Sequence, residues 1–306
     1  MTKAHDFTPS YLCGTSSEPL LYKTIGEALK DTVVKWGERE ALVICHQNIR
    51  WSYKELLAKV DAFAAGLLHL GLVPGDRVGV WSPNNAEWVI TQLATARAGF
   101  ILVNLNPAYR PRELEYALKK VDCKALILAK HFKSSDYIDM VKGLIPNVSD
   151  CHAGQLATDE FPSLKSLIVI GDSAPSGFLK FNEISALATA IDHKNLIDLQ
   201  KNLQPDDAIN IQFTSGTTGA PKGATLTHHN ILNNGYFTAQ RQGFTHKDRL
   251  CIPVPLYHCF GMVLGVLACV STGACMVFPD ESFEPLKVLK AVSEEKCTAL
   301  YGVPTM

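Results

Sequence analysis

Short, unbroken apolar runs alternate with stretches of helical period along this chain. Residues 41–44, 77–81, 100–103, 125–128 and 167–170 read as strands, and helices are expected through Trp88 and Leu93 and over 112–121. A strand with one wet face alternates apolar and polar residues, whereas one that is apolar throughout has both faces covered, as in a parallel sheet flanked by helices. The expectation is a doubly wound α/β architecture with right-handed crossovers and ligand chemistry near the carboxyl ends of the strands.

Within that frame, Ser52 and Glu55 have capping-box spacing, and Leu56, Leu57, Val60, Phe63, Ala64, Leu67 and Leu68 recur at helical intervals up to Gly71, a left-handed stop. Residues 149–207, punctuated by Pro162, Pro175 and Pro205, read as a link between subdomains or the edge of the first. The expected organisation is a polar arm over 1–19, a first α/β subdomain over 20–204, and the incomplete start of a second over 205–306. The last strand, within 298–302, is expected to lack neighbours and to leave apolar surface uncovered.

Hydrophobic residues at 47% and charged residues at 19% allow a sizeable core. A net charge of -1, without any Lys/Arg run, excludes a nucleic-acid partner or an anionic membrane held by charge and leaves small molecules. The nine cysteines are scattered and never form C-x-x-C, which argues against a disulfide framework and a zinc site. His228 and His229 read as neighbours on a strand, pointing to opposite faces, so no protein-bound metal is expected. Residues 1–21 resemble neither a secretory signal nor an Arg-rich transit peptide, so the expected compartment is intracellular. Residues 250–279 carry no formal charge, but Ser271, Thr272 and Gly273 read as a turn between a buried helix and a buried strand rather than the middle of a membrane span.

One loop is dense in hydroxyls and glycines and contains a lysine: Thr214, Ser215, Gly216, Thr217, Thr218, Gly219, Ala220, Pro221 and Lys222, followed by Gly223. Gly216, Gly219 and Gly223 let backbone N–H groups turn toward a ligand; the hydroxyls add donors and Lys222 adds a mobile charge, which together suit a polyphosphate. A P-loop requires Gly-Lys-Ser/Thr, but Pro221 precedes Lys222 and Gly223 follows it. A hydrolase elbow requires glycines two positions either side of Ser215, where Phe213 and Thr217 stand, and the dinucleotide fingerprint G-x-G-x-x-G is absent.

Residues 214–222, with the flanking 209–213 and 223–225, resemble the signature loop of the AMP-forming acyl-activating (adenylate-forming) superfamily. Pro255-Leu256-Tyr257-His258-Cys259-Phe260-Gly261 is similar to the family's next element, and Asn106-Pro107-Ala108-Tyr109 with Glu113-Leu114 to its upstream one. The resemblance runs from about residue 20 onward and in detail is closest to the mitochondrial medium-chain acyl-CoA synthetase branch. It implies a ligase that uses ATP, Mg2+ and coenzyme A. A fatty carboxylate attacks the α-phosphate, pyrophosphate leaves, and coenzyme A then displaces AMP. It also implies that residues 214–222 hold the β- and γ-phosphates, that Lys222 and His258 serve the chemistry, and that Tyr257, His258, Phe260 and Gly261 form the substrate pocket. A lone histidine after an aromatic is more often a satisfied core residue, whereas the resemblance gives His258 an N–H to orient the carboxylate. Met262, Val263, Leu264 and Val266 fit either an acyl tunnel or ordinary helix packing. A mitochondrial matrix address also follows from the resemblance, though no transit peptide is visible. The family's adenine, ribose and hinge elements and its C-terminal lysine do not occur in these 306 residues, so a non-catalytic truncated fragment with residual nucleotide or acyl binding is the alternative reading.

Overall fold

The computed structural model describes residues 18–214 and 220–306. Helix α1 (Ile25–Trp36) opens on a capping box between Thr24 and Glu27 and leads into the hairpin of β1 (Glu40–Ile44) and β2 (Ile49–Ser52). The Ser52 and Glu55 side chains each bond the other's backbone and start α2 (Tyr53–His69), which stops just before Gly71 at φ 84°. Then come β3 (Arg77–Trp81), α3 (Ala86–Ala98), β4 (Ile101–Asn104), α4 (Pro111–Val121) and β5 (Ala125–Leu128), in the expected alternation. A small hairpin of β6 (His131–Phe132) and β7 (Ser135–Asp136) precedes α5 (Tyr137–Leu144), β8 (Ser166–Val169), β9 (Leu179–Lys180), α6 (Phe181–Leu187) and α7 (Ala190–Gln200). The last third comprises β10 (Ala208–Thr214), β11 (Lys222–Thr227), α8 (His228–Gln242) and β12 (Arg249–Cys251). A π-helix (Phe260–Leu267) then runs into α9 (Ala268–Thr272), followed by β13 (Cys275–Phe278), α10 (Pro285–Glu294) and β14 (Ala299–Leu300).

Two sheets result. The larger has the order β11-β10-β4-β3-β5-β8-β9, parallel except for β11, and the smaller the order β14-β12-β13-β1-β2, parallel except for β2. In the larger sheet Leu102, Ala125, Ile127 and Ile168 pack into one core, while their alternates Val103, Leu126, Leu128, Leu167 and Val169 pack into a second. Both faces are therefore dry, which is why these strands read as unbroken apolar runs. The first core also contains Leu42, Leu250 and Met276 of the smaller sheet, with helices α1, α2, α3 and α8 between the two sheets. Every residue of α3 except Glu87 is buried, as a helix of the middle layer must be.

The larger sheet takes strands from both sides of residue 204, as does the smaller, and two expectations change. The β10–β11 hairpin extends the larger sheet through β4, and β1, near the start of the chain, pairs with β13 in the smaller one. His228 and His229 are not on a strand: Thr227 and Asn230 form a capping box, so both histidines lie in the first turn of α8. Gly223 is a ladder residue of β11 opposite Phe213 rather than part of the turn. Among the described residues no helix is long and apolar enough to cross a membrane, and Gly273, at φ 81°, makes the turn between α9 and β13. Strand β14 is an edge strand, and Leu300, Val303 and Met306 are exposed. Most of the expected arm over 1–19 lies outside the described residues.

Candidate active site

From β3 the chain moves to β4 on one side and then to β5 on the other, so strand order reverses there. Loops leaving the carboxyl ends of β3 and β4 diverge, which opens a crevice at that edge. Strand β10 runs parallel to β4, with Gln212 beside Asn104, and brings its own carboxyl end to the same place. A cleft of about 530 Å³ results, lined by Asn104, Tyr109, Thr214, Pro221, Tyr257 and His258 among others. The described lining contains no carboxylate, so an anion entering it meets amides, hydroxyls and an imidazole.

Thr214 closes β10 and Lys222 opens β11 directly opposite it. The Thr214 hydroxyl donates to the Lys222 carbonyl at 3.4 Å, and the Tyr116 hydroxyl, from α4, donates to the Pro221 carbonyl at 2.9 Å. Both ends of the glycine-rich loop are thus anchored to the larger sheet and its covering helix. Ser215, Gly216, Thr217, Thr218 and Gly219 lie outside the described residues; Ala220 and Lys222 are exposed, and neither lines the cleft.

Across the cleft lies the segment that follows β12. Its His258 amide donates to the Pro255 carbonyl, while the His258 carbonyl accepts from the amides of Gly261 and Met262, which starts the π-helix. The His258 ring is fixed from one side, because the Phe260 amide donates to its Nδ1 at 3.1 Å. An accepting Nδ1 leaves the neutral ring with its proton on Nε2, a donor free to meet an oxygen. Tyr257 stands edge-on to that ring, at 6.5 Å and 81°. Burial, with Tyr257 nearby, raises the Tyr109 phenol above its usual range, and burial raises the Cys259 thiol. Both groups stay neutral at pH 7 and act only through hydrogen bonds and bulk.

Thr214, Pro221, Tyr257 and His258 therefore meet in one cleft, whereas Phe260 and Gly261 lie behind it. Phe260 packs on Tyr301, with ring centroids 5.0 Å apart. Gly261 is buried, and a Cβ there would stand 2.4 Å from the Pro255 carbonyl oxygen. Met262, Val263 and Val266 belong to the main core, as helix packing requires. Three amides escaped the sequence reading as site residues: Asn84, Asn104 and Gln212. Asn104 is buried; its Nδ2 donates to the Tyr257 carbonyl at 2.9 Å and its Oδ1 accepts from Asn210 at 2.8 Å. The Gln212 amide reaches the Met262 sulfur at 3.1 Å, under the His258 turn. The signal for the last two was a polar residue inside an otherwise apolar strand, where burial demands a partner.

A doubly wound sheet with a cleft at its switch point, where Thr214 and Pro221 bring the two ends of a hydroxyl- and glycine-rich loop, is the architecture of nucleotide-binding α/β proteins. Residues 29–306 match the AMP-binding enzyme family, and the chain belongs to that family. It is 46% identical over 301 residues to the mitochondrial medium-chain acyl-CoA ligase ACSF2 of Danio rerio, covering 98% of this chain and 50% of that protein. It is 44% identical over 287 residues to the putative acyl-CoA synthetase YngI of Bacillus subtilis, covering 94% of this chain and 52% of that protein. Among solved structures, ATP-bound MatB of Rhodopseudomonas palustris superposes with a TM-score of 0.74 at 26% identity, covering 93% of this chain and 50% of that one. The chain spans about half the length of the curated relatives it matches.

Proposed function

We propose that this chain supplies the phosphate-binding loop and the acyl-carboxylate contact of an ATP-dependent acid–thiol ligase acting on medium-chain fatty acids. The observation that carries this reading is His258, its Nε2 proton fixed by the Phe260 amide, standing across one cleft from the anchored loop that ends at Lys222. In this reading residues 214–222 hold the β- and γ-phosphates of ATP, and Lys222 swings in from its exposed position to neutralise them. The His258 Nε2–H orients the fatty carboxylate. A carboxylate oxygen then bonds to the α-phosphorus as the bond to the β-phosphate oxygen breaks, giving acyl-AMP and pyrophosphate. The thiolate of coenzyme A next attacks the acyl carbon and AMP leaves. Charge spreads over the phosphates in the first step, so donors fixed in advance are the main source of acceleration. Among the described residues no group of three or more His, Cys, Asp or Glu could hold a metal, so Mg2+ belongs to this proposal as a companion of the nucleotide.

Octanoate-dependent pyrophosphate release from Mg-ATP tests this reading. Release is expected to fall about 100-fold or more in Lys222→Ala and in His258→Ala, the scale of losing one transition-state donor. Nucleotide binding without acid-dependent release would favour a binding role instead. The mitochondrial address in the relatives' names is proposed for this chain as well, and uptake by isolated mitochondria checks it.

A further inference from the structure

Residues 252–257 leave the smaller sheet and lead to Tyr257 and His258 on the cleft, yet Pro253 and Pro255 deprive every second position of an amide hydrogen. Such a segment cannot be held by an ordinary ladder, and its remaining polar groups need partners from side chains. Asn84, 2% exposed in the turn after β3, provides two of them. Its Nδ2 donates to the Val254 carbonyl at 3.0 Å, and its Oδ1 accepts from the Leu256 amide at 2.7 Å. The Asn84 amide in turn donates to the Glu281 carbonyl at 3.0 Å, so the residue is fixed from behind. One side chain thus stands in for a neighbouring strand. Asn104, at the end of β4, takes the carbonyl of Tyr257, three residues beyond Val254. The larger sheet therefore sets where a segment of the smaller one lies, and His258 is the next residue.

We propose that Asn84 is a positioning residue for adenylation, holding residues 254–256 so that the His258 Nε2–H faces the carboxyl end of β10. The inference rests on the function proposed above, but only for its consequence in catalysis. The chemistry requires an amide, because one bond needs a donor and the other an acceptor. An aspartate is the same shape. Its ionised form can accept from Leu256 but sets a second oxygen against the Val254 carbonyl, and only its protonated form restores both bonds.

The test reads the 15N signals of the His258 imidazole in the folded chain. The parent is expected to show a fixed neutral ring with the proton on Nε2. In Asn84→Ala both signals should move toward the values of a ring exchanging between tautomers. In Asn84→Asp they should do so at a pH where the carboxylate and the neutral ring are both present, since the ionised oxygen cannot donate to the Val254 carbonyl. Asn233→Ala, which removes a pair of bonds to Leu21 elsewhere in the molecule, controls for loss of stability alone and should leave the signals in place. In acid-dependent pyrophosphate release, Asn84→Ala should lower kcat on the order of 10- to 100-fold with KM for ATP little changed, as expected of a misplaced group. A parent that releases pyrophosphate while its His258 signals ignore Asn84→Ala would overturn the positioning role. A parent that releases none while the imidazole responds would sink the proposed function and leave the positioning role standing. If Asn84→Ala fails to fold, Asn84→Asp decides: signals identical to the parent's at every pH would refute the proposal.

Discussion

Gly261 and His228 show how differently two neighbourhoods constrain a single side chain. A Cβ at position 261 would lie 2.4 Å from the Pro255 carbonyl oxygen and 3.0 Å from the Leu256 Cα, both rigid backbone. Gly261→Ala must therefore push the Pro255–Leu256 backbone away, and denaturant unfolding should show a loss of about 1–3 kcal/mol, the usual cost of overpacking. His228 is fully buried, and burial lowers its pKa to about 4, with the Asp207 and Glu27 charges opposing weakly. Its Nδ1 accepts from the Ile25 amide, and its Nε2 has no partner among the described residues. In the unfolded chain the ring titrates near its ordinary value, about 6.5. Between those two values the unfolded chain binds a proton that the folded chain refuses. The stability linked to this group is complete above about pH 6.5 and falls as the pH drops toward 4, by on the order of 3 kcal/mol. Comparing His228→Gln with the parent in urea at pH 7.5 and 4.5 isolates it: the variant should lose less stability on acidification. At this scale the loop and the His258 motif were legible because they are contiguous in sequence. Asn84 was not, because its partners lie 170 and 172 residues away and no local pattern records them; for Asn104 the strand pattern marked a buried amide but not its partner 153 residues away.

Elements were readable where their ends carry chemistry of their own. The Ser52–Glu55 box starts α2 as its spacing predicts, and Ser52→Ala should cost about 1 kcal/mol in thermal or urea unfolding, since it removes the acceptor for the Glu55 amide. The Thr227–Asn230 box starts α8 in the same way, yet the adjacent histidines read as strand because the run before them is a strand and Asn is a weaker partner than Glu in the expected box. The π-helix over Phe260–Leu267 left no signature. Its residues are apolar on nearly every side, so the period that would tell i+4 from i+5 winding has no polar face to mark it. An i+3 and an i+4 bond, from the amides of Gly261 and Met262 to the His258 carbonyl, lead into the wider winding and link this element directly to the site.

For the whole molecule, alternating apolar runs revealed that the sheets are covered on both faces but not which strands share a sheet. The same short, buried apolar run describes β1, which pairs with β13 more than two hundred residues later, and β3, which pairs with β4 nearby. Strands from both sides of residue 204 share a sheet, and that sharing has a thermodynamic consequence. The smaller sheet takes strands from both ends of the chain and the larger from the stretch between, and a single apolar core lies between the two sheets. Unfolding one sheet would strip core contacts from the other, so the two should melt together. Variants retaining only Trp51, on β2 of the smaller sheet, or only Trp81, on β3 of the larger and stacked 3.6 Å from Tyr137, report on each sheet separately. Their urea midpoints, corrected for each variant's own stability by far-UV circular dichroism, should coincide. A Trp51 transition well below that of Trp81 would mean that the smaller sheet opens by itself, and that the cleft wall it carries can leave the glycine-rich loop without unfolding the rest.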